Sequence, residues 1–528
     1  MPRIKKCFLL IIIITGFFQV LYLRFDYPFI SIDWALHNDE KVMIPDAKCY
    51  FLNNTKQISI FDYRPYPTSA MFGIAGPAII DLGFRIFGMN NVGLRFFFVI
   101  VTVVTTVLCV FLILKVAPGL SGFFFSAIYV FSYANFILNR YAVLENFLTF
   151  FLIGILWLYI AKREVFLDNL FKICFLAGIS VLFKGSFVFY IYLLLFIIIV
   201  IEIKVFKKIL KVILWSFFAV FIFEVLQFFI LSRMGIAHIR YQSLLTVLFY
   251  ARGLTTGWGS LRPLAYPHPI NMEIFSIFPI SLSGWYGIPK AIFYRVYHLD
   301  VITGCLVTLV LIISIFWGIR RIIPKEGLVI ALFIMGYLLF SSFFLYYTKR
   351  GVSLFPFVFI FLALLLHEAL LYFSKNLFKI YRITKTVLIL TAIIYSAFQA
   401  VIFIQMSAGK SDQVEKNSLA LDNDLPKGSV IYAHSFGYRF FWLSKEQRLL
   451  SGDDAFFNNA MILAWALKDH GRYLLLSDRA GSLSVIRGPK ISEVLQQVKT
   501  LKILKLYYTT ETESDCADWY TLMEIIYN

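Results

Sequence analysis

Long apolar runs separated by short polar turns make up most of the first three quarters of the chain. A membrane-spanning helix needs about 20 mostly apolar residues, and about eleven runs approach that length. They cover residues 7–23, 94–114, 120–138, 142–161, 171–183, 185–201, 209–231, 301–319, 328–347, 352–373 and 386–406. The pattern predicts an all-α polytopic membrane bundle of about eleven transmembrane helices.

Two runs allow a second interpretation. The run at residues 71–87 is short and contains three glycines, a proline, Asp81 and Arg85, so we expect a helix that lies at the interface or re-enters the membrane. The first run, at residues 7–23, could also be a cleaved signal peptide. No small-x-small cleavage site follows it, which favours an uncleaved anchor.

The pattern changes after residue 406. Four segments rich in β-branched and aromatic residues predict strands at residues 429–435, 472–477, 501–509 and 520–527. Segments 456–471 and 491–500 predict helices. Because strands alternate with helices, we expect a soluble α/β domain over residues 407–528, after a transmembrane domain over residues 1–406.

Composition and charge support this picture. The chain has 528 residues, of which 60% are hydrophobic and only 15% charged, whereas soluble chains have about a quarter charged. The net charge of +18 falls mostly in short basic clusters between apolar runs, which is the positive-inside pattern and not that of a nucleic-acid partner. It predicts a cytoplasmic N-terminus and an extracytoplasmic C-terminal domain, in the inner membrane. Cys49 and Cys516 could pair if both face an oxidising compartment.

Five groups of polar residues share the predicted outer face. Acids there can deprotonate an acceptor hydroxyl, and cations can offset the charge on a departing phosphate. Each residue alone could equally be a solvated loop residue, an interfacial anchor or part of a structural ion pair. The candidates are the acids Asp39, Glu40 and Glu145, the tyrosines Tyr63 and Tyr66, and the cations Arg64, Arg95, Arg140, Lys184, Lys349 and Arg350.

Three other functions remain open at this point. Asp422-Asn423-Asp424 has the Asp-x-Asp form of nucleotide-sugar transferases, but it precedes Leu-Pro-Lys-Gly, which predicts a turn before a strand. A transporter or flippase would often show repeated halves. No repeat is visible, and Glu224 is the main acid well inside a predicted span. An assembly factor would not need the outer-face cluster.

Six segments, in order along roughly two thirds of the chain, resemble the GT-C superfamily. The similar families are the dolichyl-phosphate-mannose protein mannosyltransferase-like ones, which include the bacterial aminoarabinose transferases. The segments are HNDEKVM at residues 37–43, YRPYPTSAMFGIAGP at 63–77, NNVGLRF at 90–96, RYAVLENFLTFF at 140–151, LAGISVLFKG at 176–185 and KRGVSLFPFVFIF at 349–361. Asn38 stands where the family's first motif has proline.

The resemblance implies an inverting transferase with a polyprenyl-phosphate-linked sugar as donor. Asp39 would match the catalytic acid of the first loop, and Glu145 the acid of the second. Lys184, Arg95 and Arg350 would contact the lipid phosphate. The resemblance leaves open the sugar, the acceptor and whether a divalent metal takes part.

Overall fold

A computed structural model of the protein describes the following parts of the chain. They are residues 43–44, 47–48, 73–132, 142–203, 206–235, 237, 240, 324–343, 353–376, 378–408, 413–433, 443–451, 463, 466–467, 470–477, 498–508 and 519–528. The chain forms two compact units. The first comprises Met1–Tyr22, Phe98–Ile230 and Leu244–Ala408, and the second comprises Leu23–Phe97, Leu231–Ser243 and Gly409–Asn528.

Helices dominate the described residues. In chain order they are α1 Ala75–Phe87, α2 Asn91–Val116, α3 Leu120–Phe131, α4 Glu145–Ala161, α5 Arg163–Asp168, α6 Leu170–Ala177, α7 Gly185–Glu202, α8 Phe206–Arg233, α9 Lys325–Phe343, α10 Phe355–Asn376, α11 Phe378–Ala408 and α12 Gln413–Asp424. A 3-10 segment, Gly178–Leu182, joins α6 to α7.

Several of these helices can cross a membrane. Four are long and apolar enough by length and composition: α2, α7, and the segments Ile209–Arg233 and Phe378–Phe398 of α8 and α11. Four more are apolar but shorter. On α8, Phe217 is 71% exposed and Phe221 and Phe229 are nearly as open. A row of exposed aromatic side chains on an apolar helix needs a lipid solvent, so the chain is a membrane protein.

The predicted apolar runs fall on these helices where the structure describes them. Nine of the eleven correspond to α2, α3, α4, α6 with the 3-10 segment, α7, α8, α9, α10 and α11. The runs at residues 7–23 and 301–319 lie outside the described residues. The short run at residues 71–87 forms α1, which ends at Gly88 with a φ of +82°.

Helices α4 and α7 run in the same direction. Their first residues meet, because Lys184 directly before α7 bonds Glu145 at the start of α4. Their last turns also meet, because Tyr159 of α4 donates a hydrogen bond of 2.7 Å to Glu202 of α7. With 17 and 18 residues, each spans about 25 Å at 1.5 Å per residue. The segments α5, α6 and Gly178–Leu182 return the chain between them.

A cluster of ion pairs lies at the C-terminal ends of α4 and α7. The Glu202 carboxylate, 5% exposed, receives Arg163 at 2.5 Å, and Lys325 lies 3.7 Å away at the start of α9. Arg163 also lies 3.6 Å from Glu326. These cations belong to clusters that the charge pattern assigns to the cytoplasm, and they lie at the end of α4 and α7 opposite Glu145.

The second unit contains a five-stranded mixed sheet. Its strands are β1 Val430–Ala433, β2 Arg448–Ser451, β3 Tyr473–Ser477, β4 Val498–Tyr508 and β5 Trp519–Tyr527, in the order β2-β1-β3-β5-β4. Strands β1, β2 and β3 are parallel, and β5 is antiparallel to both of its neighbours. The helical residues Leu463, Ala466 and Leu467 pack on Tyr432 and Leu474 to form its core.

The predicted strands fall on β1, β3, β4 and β5, and the turn predicted at Leu-Pro-Lys-Gly lies before β1, where Gly428 has a φ of +76°. Asp422 and Asp424 precede that turn and lie in the last turn of α12. The sequence did not indicate β2, which is only four residues long. The end of the helix predicted at residues 491–500 is wrong, because Val498 begins β4 and pairs with Tyr527.

Candidate functional site

The first unit contains a buried pair of opposite charges. The Nζ atom of Lys184 lies 2.9 Å from Oε1 of Glu145, and the two side chains are 8% and 2% exposed. Charged side chains are almost never this deeply buried unless they are paired. Lys184 is therefore not a snorkelling turn residue, since a snorkelling ammonium stays in water.

Local sequence explains how the two residues meet. Glu145 is the first residue of α4. Lys184 has an extended backbone, with φ −164° and ψ 128°, between the 3-10 segment and α7. Around them, the ring of Phe183 lies 4.6 Å from that of Phe147 and 5.6 Å from that of Phe151. The aromatic rings exclude water from the pair and strengthen its electrostatic attraction.

The start of α10 completes this site. The hydroxyl groups of Ser353 and Thr149 lie 2.8 Å apart. Each is also in hydrogen-bond range of the Glu145 carbonyl oxygen, at 3.3 Å for Ser353 and 2.8 Å for Thr149. All three residues are buried. Two hydroxyl hydrogens thus connect the start of α10 to the first turn of α4 through the backbone carbonyl of Glu145.

The structure therefore joins three of the five predicted groups. Glu145 comes from the third group, Lys184 from the fourth and Ser353 from the segment that follows Lys349-Arg350. Neither Thr149 nor Ser353 was among the predicted site residues. Thr149 stands four residues after Glu145, on the same helix face, and that spacing was the available signal.

Arg95, the third predicted site residue that is described, belongs to the second unit. It lies in the first turns of α2 and is 1% exposed, so it is not an interfacial anchor with its head in water. Close packing holds this part of α2, because a Cβ atom on Gly83 of α1 would lie 2.0 Å from the Gly93 carbonyl oxygen. The remaining predicted site residues lie outside the described residues: Asp39, Glu40, Tyr63, Arg64, Tyr66, Arg140, Lys349 and Arg350.

The described residues contain no group of three or more His, Cys, Asp or Glu side chains that could hold a metal ion. The Asp-x-Asp carboxylates make structural contacts. Asp422 accepts hydrogen bonds from the backbone of Lys445 at 2.7 Å and of Glu446 at 3.1 Å. Asp424 pairs with Lys505 at 2.8 Å and accepts a bond of 2.6 Å from Tyr507. Burial and this bond raise the pKa of the Tyr507 hydroxyl well above its ordinary value.

Comparison with known proteins finds similarity in structure only. The sequence matches no protein-family model and no curated protein sequence. ArnT from Cupriavidus metallidurans, solved with undecaprenyl phosphate bound, has a TM-score of 0.54 at 10% identity over 98% of this chain and 97% of ArnT. The oligosaccharyltransferase AglB from Archaeoglobus fulgidus, solved with an inhibitory peptide and a dolichol-phosphate, has a TM-score of 0.51 at 12% identity. That match covers 99% of this chain and 74% of AglB.

Proposed function

The chain has the fold of the GT-C superfamily, and from this fold and the buried Glu145–Lys184 pair we propose that it is an integral membrane glycosyltransferase. It moves a sugar from a polyprenyl-phosphate donor to an acceptor on the extracytoplasmic face, with inversion. The main support for this proposal is that the Lys184 ammonium is buried beside the Glu145 carboxylate, at one end of the parallel helices α4 and α7. A buried cation at a membrane face is suited to an anionic partner, and ArnT and AglB were both solved with a polyprenyl-type phosphate.

The reaction uses one base and a set of cations. The acceptor oxygen attacks the anomeric carbon while the bond from that carbon to the phosphate oxygen breaks, and Asp39 takes the acceptor proton. Attack opposite the leaving group inverts the configuration. Lys184 offsets the charge on the departing polyprenyl phosphate, helped by Arg95 and Arg350. Glu145 holds Lys184 in place. The substrates are contacted by six further residues: Glu40, Tyr63, Arg64, Tyr66, Arg140 and Lys349.

We also propose the arrangement in the membrane. Residues 1–406 form about eleven spans with a cytoplasmic N-terminus, and residues 407–528 form an extracytoplasmic α/β domain at the inner membrane. The basic clusters between the runs support this orientation. The make-up of the second unit also supports it, because Leu23–Phe97 and Leu231–Ser243 join Gly409–Asn528 there. All three segments fall largely within the loops and domain that we expect outside.

Transfer of label tests the activity and its base together. Purified protein is incubated with radiolabelled polyprenyl-phosphate sugars and a membrane extract, as wild type, as Asp39→Asn and as Asp81→Asn. Asp81 is the matched control, because it pairs with Arg85 at 3.0 Å on the surface of α1. We expect label on an acceptor with wild type and with the control, and none with Asp39→Asn, which still folds and binds lipid.

Two results would contradict this proposal. Normal transfer by Asp39→Asn would show that Asp39 is not the base. No transfer with any donor, together with substrate-dependent flux in proteoliposomes, would establish the transporter or flippase instead.

A further inference from the structure

A lysine of the first loop is tied to the C-terminal sheet. Lys48 donates hydrogen bonds to the carbonyl oxygens of Ser444 and Gln447, the latter at 2.8 Å. These residues are almost 400 positions apart, and all belong to the second unit. Of the residues before Lys48, Met43, Ile44 and Ala47 are fully packed, since each is at most 1% exposed. The loop segment is therefore part of the folded unit.

The carbonyl groups that receive Lys48 are held in place from the other side. The Asp422 carboxylate accepts hydrogen bonds from the Ser444 hydroxyl and from the backbone N–H groups of the next two residues. The Gln447 backbone donates to the Ser444 hydroxyl oxygen at 3.2 Å, and its side chain donates to Leu425 at 3.2 Å. The turn at residues 444–447 is thus a preformed acceptor for a cation from the first loop.

We infer that the C-terminal sheet positions the first loop through Lys48, and that Lys48 is a positioning residue for the base Asp39. This inference rests on the proposed function, because it gives the sheet a role in the same reaction. Asp39 stands only four residues before Met43, so a shift of the packed segment moves the carboxylate. An ammonium donating to carbonyl groups forms charge-assisted bonds, which are stronger than neutral ones. A catalytic base needs its position fixed within a fraction of an ångström.

Two measurements on four variants test the inference. Lys48→Met keeps the apolar stem without the donors, Lys48→Arg keeps donors, and Asp422→Asn loosens the receiving turn without touching Lys48. Lys427→Met is the control, because Lys427 is 81% exposed and lies 3.5 Å from the Glu446 carboxylate of this turn. The first measurement is hydrogen exchange of the backbone at residues 37–48, and the second is kcat and KM for sugar transfer per folded molecule.

We expect Lys48→Met and Asp422→Asn to raise exchange at residues 37–48 about tenfold. In both variants kcat falls about tenfold to a hundredfold, as misplacement of a catalytic group does, while KM for the donor changes little. Lys48→Arg keeps most of the wild-type kcat, and Lys427→Met behaves as wild type.

The outcomes separate the tie from the proposed activity. Exchange needs no substrate, so unchanged exchange in Lys48→Met overturns the tie even if the protein transfers no sugar. Raised exchange with an unchanged kcat per folded molecule overturns the positioning role and leaves only a structural contact. If the wild-type protein transfers no sugar but hydrogen exchange is raised in Lys48→Met, the proposed function is wrong and the tie through Lys48 stands.

Discussion

Removing one member of the buried Glu145–Lys184 pair should destabilise the protein more than removing both. At 2.9 Å the two charges attract each other by about 6 kcal/mol at an effective dielectric constant of about 20. The loss of water around each ion opposes this by several kcal/mol, so the net contribution of the pair is small. Glu145→Gln or Lys184→Met alone deprives one buried charge of this partner, which costs up to about 3–5 kcal/mol.

Stability and activity are expected to separate in the double variant. Glu145→Gln with Lys184→Met contains no buried charge at this position and should recover most of the lost stability. Its transfer rate should stay about 10²- to 10³-fold below wild type, because it lacks the cation that we propose offsets the charge on the departing phosphate. Thermal unfolding in one detergent gives the stability of the four proteins, and the initial rate of transfer per folded molecule gives the activity.

The opposite end of the same helices provides the control. Glu202→Gln removes the carboxylate that accepts hydrogen bonds from the Arg163 guanidinium and the Tyr159 hydroxyl. It should lower the unfolding temperature and leave the rate per folded molecule unchanged. If the double variant at Glu145 and Lys184 regained both stability and activity, the pair would be a structural ion pair and the argument for an anion site would fail.

Two further outcomes follow from the packing. Gly83→Ala should destabilise the protein strongly, because the new Cβ would lie 2.0 Å from a backbone oxygen of α2. In Gly154→Ala of α4 the new Cβ meets nothing within 4 Å, so the free energy of unfolding should rise by up to about 1 kcal/mol. Equal unfolding temperatures for the two glycine variants would refute this. Thr149→Val and Ser353→Ala should each lower the free energy of unfolding by about 1 kcal/mol and lower kcat. In thermal unfolding the double variant should lose less stability than the sum of the two single losses. Strict additivity would mean that the two hydroxyl groups do not form one unit.

The sequence predicted the helices well because burial in lipid demands long apolar runs, which leave a direct record in the chain. It also indicated that Glu145 and Lys184 share one face of the membrane, from the alternation of basic turns. It did not show that they form a pair. Lys184 follows Glu145 by 39 positions. The chain between them runs down α4 and back through α5, α6 and the 3-10 segment, and only tertiary structure shows where that path returns.

The omissions arose where distant contacts determine the local structure. The sequence predicted the turn at Leu-Pro-Lys-Gly but did not indicate that α12 continues through Asp424. Its two carboxylates are held by partners 22 to 83 residues away, on Ser444, Lys505 and Tyr507. A helix end stabilised by such partners leaves no periodic signal. Strand β2 is too short to show a pattern of its own and exists because it pairs with β1.

The common direction of α4 and α7 gives the first unit an electrical polarity that comes from the backbone. Each helix has about half a positive charge at its N-terminus and half a negative charge at its C-terminus. Both begin beside Lys184, and α10 begins two residues after Ser353, whose hydroxyl contacts the Glu145 carbonyl oxygen. The negative ends of α4 and α7 lie beside Arg163, which matches them. Three positive helix ends therefore favour negative charge at this end, whatever side chains occupy the loops. This polarity depends only on where the helices begin, so it persists when the side chains around them are replaced.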